Sequence, residues 1–114
     1  MYSQRDIIFV PFPYSDLTII KQRPALIVSN KTHNNVNDDV ICCAITKNPK
    51  NFPNSVEIGQ SDLENGTLRF KSRVKPSKIF TISKDKIVHV FGKLKINKSE
   101  EIVKELKILI EIDK

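Results

Sequence analysis

Val10-Pro11-Phe12-Pro13-Tyr14-Ser15-Asp16, Arg23-Pro24-Ala25-Leu26-Ile27-Val28-Ser29 and Ile41-Cys42-Cys43-Ala44-Ile45-Thr46 are the three stretches that decide this fold. Residues 7–12 read as a first strand. Pro11 and Pro13 have no N–H for a central ladder, so the chain must leave the sheet there or run along an edge. A loop over 13–22 then delivers Arg23. Residues 24–29 and 40–46 are unbroken apolar runs, short enough to be central strands buried on both faces. Arg23 stands at the start of one run and Thr46 at the end of the other, two polar residues at the lip of a buried sheet. Cys42 and Cys43 are neighbours in one strand, so alternation sends them to opposite faces and leaves no ordinary disulfide between them. Nor do two such cysteines make a zinc site.

Outward from this centre the chain is punctuated by loops. Asn30–Asp39 is polar and asparagine-rich and reads as a loop, as does the stretch 47–54 with its two prolines. Residues 55–58 form a short strand, and Asn65-Gly66 signals a turn. A strand follows, bent at Pro76 and resumed over 79–82. Ser83–Lys86 is a turn or a single helical turn. Ile87–Leu94 is the last strand, with Gly92 marking a bulge or a close contact. The period then changes. Asn97 is a good N-cap with Glu100 three residues on, and Ile102, Val103, Leu106, Leu109 and Ile110 recur at helical spacing. Ile108 and Ile112 widen that apolar stripe, either for simple burial or for a dimer contact. Many short strands and one terminal helix make the chain mainly β with a C-terminal helix (α+β), a small, strongly curved antiparallel sheet or half-open barrel.

The 114 residues have room for one domain, 1–114. No run of apolar residues is long enough to span a bilayer, so no membrane partner is expected. The N-terminus lacks the apolar core of a signal peptide, so a cytoplasmic location is expected. The net charge is +6, with 10 basic and 1 acidic side chains between residues 67 and 98. In Arg69-Phe70-Lys71-Ser72-Arg73-Val74-Lys75 the cations occupy every second position. On a strand they would form a one-sided ribbon, with Phe70 and Val74 turned inward. Such a ribbon suits a polyanion that releases counterions on binding. It equally suits a lysine-guarded sheet edge that resists aggregation.

Asp6-Ile7, Val10-Pro11-Phe12-Pro13, Arg23-Pro24-Ala25-Leu26 with Ser29, and Ala44-Ile45-Thr46 together resemble the MazF/PemK family, the toxins of bacterial and archaeal toxin–antitoxin pairs. Ile79-Phe80-Thr81-Ile82 and Gly92-Lys93-Leu94 add weaker matches. The resemblance implies an SH3-like small barrel of the MazF/CcdB type, built as a two-fold homodimer. It implies a metal-independent ribonuclease with no cofactor, which cuts single-stranded RNA (mRNA) to 2′,3′-cyclic phosphate and 5′-hydroxyl ends and is silenced by a cognate antitoxin protein.

The family's catalytic arginine and threonine map onto Arg23 and Thr46. A guanidinium offers fixed donors matched to the charge of a phosphorane, and a hydroxyl can hold phosphate or sugar in line. A salt bridge from Arg23 to Asp6 or Asp16 is the competing role. Tyr14, Ser15, Lys21, Lys47, Arg69, Lys71, Arg73, Lys75 and Ser77 are the expected RNA contacts, with Tyr14 either stacking on a base or packing on Pro13. Some family members place an arginine and an aspartate in the strand matching Val74-Lys75-Pro76-Ser77. Lys75 keeps the charge without the fork, and Ser77 replaces the carboxylate. His33 lies in a polar loop and His89 in a late strand, and neither is expected to serve as a base. Two alternatives stand on the same fold: a non-enzymatic toxin or regulator like the CcdB gyrase poisons, and a nucleic-acid-binding barrel without chemistry.

Overall fold

The middle of the sheet is set by the two apolar runs. The computed structural model describes residues 1–13, 20–48 and 50–114. Within these, β1 (Asp6–Pro13), β2 (Ile20–Ile27), β3 (Asp39–Thr46), β4 (Val56–Ile58), β5 (Leu63–Gly66), β6 (Ser72–Ser83) and β7 (His89–Leu94) form one antiparallel sheet in the order β4-β6-β3-β2-β1-β7-β5. Two helices, α1 (Lys31–Val36) and α2 (Ile96–Leu109), complete a curved half-barrel.

β1, β2 and β3 are buried on both sides. Ile7, Leu26, Cys43, Ile45 and Val74 join Ile102 of α2 in one core. Ile8, Val10, Ala25, Ile27, Val40 and Cys42 form a second. Alternate residues of each strand thus enter different cores, as a period of two demands. Each large apolar side chain so buried contributes about 1.5–3 kcal/mol. The two cysteines part in the expected way, and burial pushes the Cys42 thiol up to about 12, helped by the charge of Cys43, and the Cys43 thiol up to about 11.

The prolines obey their missing donors. β1 pairs with β7 only from Asp6 to Phe9, so Pro11 and Pro13 lie where β2 alone flanks the strand. In β6, Lys75 faces Ala44 and Ile79 faces Cys43, leaving Pro76, Ser77 and Lys78 as a bulge. Gly92 sits against β5, where a Cβ would meet Leu63 Cδ2 at 3.0 Å and Asn65 O at 3.1 Å.

Three elements differ from the sequence expectation. Residues 31–36 are helical rather than loop. The Asn30 side chain caps the helix by accepting from the His33 N–H, and buried Asn34 accepts from Ser29 Oγ (2.6 Å) and donates to Ser29 O (3.0 Å). The helix is held by polar side chains, so it has no apolar period to betray it. Asn65-Gly66 ends strand β5 instead of turning. Gly66 has φ +90° and packs so tightly on β7 that a Cβ would lie 2.3 Å from Phe91 O. The N-cap of α2 is Lys95, without a side-chain bond, which puts Asn97 inside the first turn and leaves its capping box unformed. Packing against β6 and β4 through Ile102 fixes this helix, while Ile108, Leu109, Ile110 and Ile112 stay exposed. No helix among the described residues is long and apolar enough to cross a membrane.

Candidate active site and nucleic-acid interface

β2 begins at Ile20, earlier than expected, because its first residues pair with the end of β1. Arg23 therefore lies inside the strand, opposite Val10, rather than at its start. The β2–β3 ladder closes with Ala25 opposite Ala44. Counted on in the same register, the next residues of like facing are Arg23 and Thr46. Thr46 ends β3 opposite Arg73 of β6, and Arg73 is opposite Glu57 of β4. Thr46 and Arg73 thus face each other across β3 and β6, and Arg23 lies two residues beyond the last β2–β3 pair, at the sheet end where β2 and β3 part. The Thr46 hydroxyl accepts the Asn48 N–H at 3.1 Å, which ties the departing chain to the strand end and keeps its own O–H as a donor. Of the two carboxylates that could pair with Arg23, Asp6 meets Lys93 Nζ at 3.4 Å and the Ser3 N–H at 2.9 Å, and Asp16 lies outside the described residues.

The cationic ribbon does not form as one strand. β6 starts only at Ser72, so Arg73 and Lys75 share a strand face while Arg69 and Lys71 precede it. The stretch before β6 finds its bonds locally: Thr67 N donates to Phe91 O (3.2 Å), Leu68 N to Gln60 Oε1 (2.7 Å) and Ser72 Oγ to Phe70 O (3.0 Å). Val74 is buried as expected, but Phe70 is 59% exposed rather than turned inward. The four cations meet different fates. Arg73 donates to Ser55 Oγ (2.8 Å), Ser55 O (3.2 Å) and Asn51 Oδ1 (3.0 Å), and pairs with Glu57 at 3.5 Å. Lys75 Nζ lies 4.0 Å from the centre of the Phe52 ring. Lys71 is exposed and stands 3.9 Å from Glu57. Arg69 is exposed, as are Lys21 in β2 and Ser77 in the bulge. Tyr14 and Ser15 lie outside the described residues.

A cavity of about 580 Å³ opens at this end of the sheet, on the face of Phe9, Pro24 and Lys47, with Arg23 in its lining. Arg23, Lys47, Arg69, Phe70 and His89 line it, with Phe9 and Phe91 behind. It brings three expected site residues together, Arg23, Lys47 and Arg69. Thr46, Lys21, Lys71, Arg73, Lys75 and Ser77 lie off it. His89 also lines the cavity, a place that sequence reading did not give it. It is remote in the chain, but the β1–β7 register sets it opposite Phe9 and so at the cavity. Its ring lies 6.4 Å from that of Phe91 and 11° from parallel, and Phe91 stacks on Phe9 at 4.7 Å. No local signal could have placed it, since only strand pairing does. His33, by contrast, pairs with Asp39 at 3.0 Å, tying α1 to β3.

Comparison with known proteins sharpens this picture. A family model described as PemK-like, MazF-like toxin of type II toxin–antitoxin system matches residues 3–110. No curated protein sequence matches the chain. Among solved structures, an endoribonuclease in complex with its cognate antitoxin from Mycobacterial species superposes with a TM-score of 0.79 at 21% identity, covering 99% of this chain and 100% of that one. The Mycobacterium tuberculosis toxin MazF-mt6 gives 0.75 at 19% identity, covering 96% and 100%. A MazE–MazF complex from Deinococcus radiodurans gives 0.75 at 16% identity, covering 98% of each chain. At these identities the structural likeness establishes the fold.

Proposed function

The chain belongs to the PemK-like, MazF-like toxins of type II toxin–antitoxin systems, and from that premise we propose that it is an endoribonuclease cutting single-stranded RNA without a metal ion. Its products are a 2′,3′-cyclic phosphate and a 5′-hydroxyl. The observation that supports this reading is the pairing of Thr46 with Arg73 across β3 and β6, with Arg23 just past the last β2–β3 pair at the same sheet end. Structural relatives named as endoribonucleases support it.

In the proposed reaction the RNA 2′-oxygen bonds to the adjacent phosphorus as the P–O5′ bond breaks. The 2′-hydroxyl gives up its proton and the leaving 5′-oxygen gains one. Negative charge gathers on the non-bridging oxygens, where the Arg23 guanidinium stabilises it. A guanidinium is a poor proton carrier, so the role proposed for Arg23 is mainly the stabilisation of charge. The Thr46 O–H orients the phosphate or sugar for in-line displacement. Lys21, Lys47, Arg69, Lys71, Lys75 and Ser77 are the proposed contacts along the strand, with Tyr14 and Ser15 covering it. Arg73, held by Ser55 and Asn51, supplies positive potential more than direct contact.

The cationic surface also suits an acidic or amphipathic antitoxin peptide. The exposed Ile108, Ile110 and Ile112 at the end of α2 suit a homodimer contact. Selectivity for an RNA sequence would come from the loops 13–22, 30–39 and 47–54, and the toxin would act in the cytoplasm.

The test is incubation of the purified protein with a mixed RNA pool in EDTA, followed by sequencing and chemical typing of the new ends. Cleavage with cyclic phosphate and 5′-hydroxyl ends is expected. Arg23→Ala and Thr46→Ala should each lower the rate by about 10²–10³-fold, the usual loss for one transition-state donor. An unchanged rate in Arg23→Ala would overturn the assignment.

A further inference from the structure

The cavity that Arg23 helps to line contains more than phosphate chemistry requires. Two of its cations, Lys47 and Arg69, are exposed, and Arg23 joins them in its lining. None of its described lining residues is acidic. Its rim carries Phe70, which is 59% exposed although an apolar interior lies close by. His89, also exposed, is backed by Phe91, which is in turn stacked on Phe9, so the imidazole is a supported flat surface and not a dangling side chain. Lys47 Nζ stands 5.0 Å from the Phe70 ring centre, which groups cation and ring at one mouth.

Flat exposed rings among cations are what an unpaired base and its phosphate recognise. Bases stack on aromatic faces whatever their identity, and the backbone follows the positive charge. A duplex hides those base faces, so the site suits a single strand. An acidic peptide would satisfy the cations and leave the rings unused. Resting on the RNA-cutting reading above, we propose that this cavity is a stacking subsite for one unpaired base flanking the cut. Phe70 and His89 supply the faces, and Lys47 and Arg69 hold the adjoining phosphates. Arg23 lies in the same lining and connects the subsite to the proposed cutting site.

The probe is a single-stranded 2′-O-methyl RNA, which cannot be cut, carrying 2-aminopurine, whose fluorescence drops when the base stacks. Wild type should bind it with quenching. Phe70→Ala and His89→Ala should each weaken binding roughly 5- to 150-fold and abolish the quench, and Phe70→Trp should restore both. Both altered side chains are exposed, so the variants should melt with wild type. Their cutting of ordinary RNA is followed in parallel.

If wild type cuts RNA but both alanine variants bind and quench as it does, the subsite is refuted and the nuclease reading survives. If wild type binds with a Phe70-dependent quench yet cuts nothing, the nuclease reading fails and the subsite stands. Absence of both binding and cutting overturns the two together. Phe70-dependent capture of an acidic peptide without any base quench would hand the cavity to a protein ligand and refute the proposal.

Discussion

Arg69-Phe70-Lys71 and Arg73-Val74-Lys75 have the same alternation of cation and apolar residue, and the protein puts them to opposite uses. In the second, strand pairing against β3 and β4 turns Val74 into the core and lays Arg73 over the 51–55 loop. In the first, the ladder has already ended, because β4 stops at Ile58 opposite Ser72. Phe70 is then free to face solvent, Arg69 stands at a cavity mouth and Lys71 is exposed beside it. Period tells which residues share a side once a strand exists. It does not tell where the strand begins. Here the boundary at Ser72 divides a cationic stretch into a half held in the sheet and a half exposed to solvent.

The largest effect should come from breaking the anchor of the open half. Gly66 precedes it, with φ +90° and the Phe91 carbonyl where a Cβ would go. Gly66→Ala combines a strained backbone with a clash against β7 that only backbone movement can relieve, and should cost about 3 kcal/mol. Urea unfolding reads this directly. An unchanged midpoint would mean that β5 is not clamped to β7 as described, and the segment 67–71 would lose its fixed place.

Next comes the structural half. Arg73→Ala removes three hydrogen bonds from a guanidinium whose side chain is only 14% exposed. It should destabilise by about 2 kcal/mol, in the range for hydrogen bonds made by charged groups. Arg73→Lys separates charge from geometry: it keeps the cation and loses the fork that reaches both Ser55 and Asn51. It should recover less than half of the loss. Full recovery would make Arg73 a charge in a ribbon after all, and the two halves would not differ in kind.

The comparison also shows what could be read from residues alone. The central strands, their burial on both faces, the parting of Cys42 from Cys43 and the one-sided stretch at Pro11 and Pro13 all follow from period and from a missing N–H, which are local facts. α1 was hidden because its support is a polar network through Ser29 and Asn34, residues that elsewhere make loops. The Asn65-Gly66 pair has turn chemistry, yet the same positive φ lets Gly66 close against Gly92, and only the tertiary neighbour decides between these uses. Asn97 has a cap's chemistry, but the chain leaves β7 at Leu94 and packing starts the helix at Ile96. At the candidate site, Arg23 and Thr46 were legible as polar residues bounding apolar runs. Their meeting at one end of the sheet needed the β2–β3 pairing, and the place of His89 needed the β1–β7 register. Such pairings depend on distant parts of the chain, which no local pattern encodes.

The smallest effect on stability belongs to Lys71, and it is the most discriminating for function. Its side chain is 83% exposed and its partner Glu57 is 3.9 Å away, a geometry in which solvent screens most of the attraction. Lys71→Gln should therefore change unfolding stability by less than about 0.5 kcal/mol. If the open half meets phosphate, the same substitution should lower the slope of log affinity for single-stranded RNA against log salt by about 0.7. Arg73→Lys should leave that slope nearly intact, since its charge remains. Equal slopes for wild type and Lys71→Gln would take Lys71 off the RNA path and confine phosphate contact to Lys47 and Arg69. A lower slope with unchanged stability would show a cation that serves the ligand alone, the counterpart of Arg73, which serves the fold.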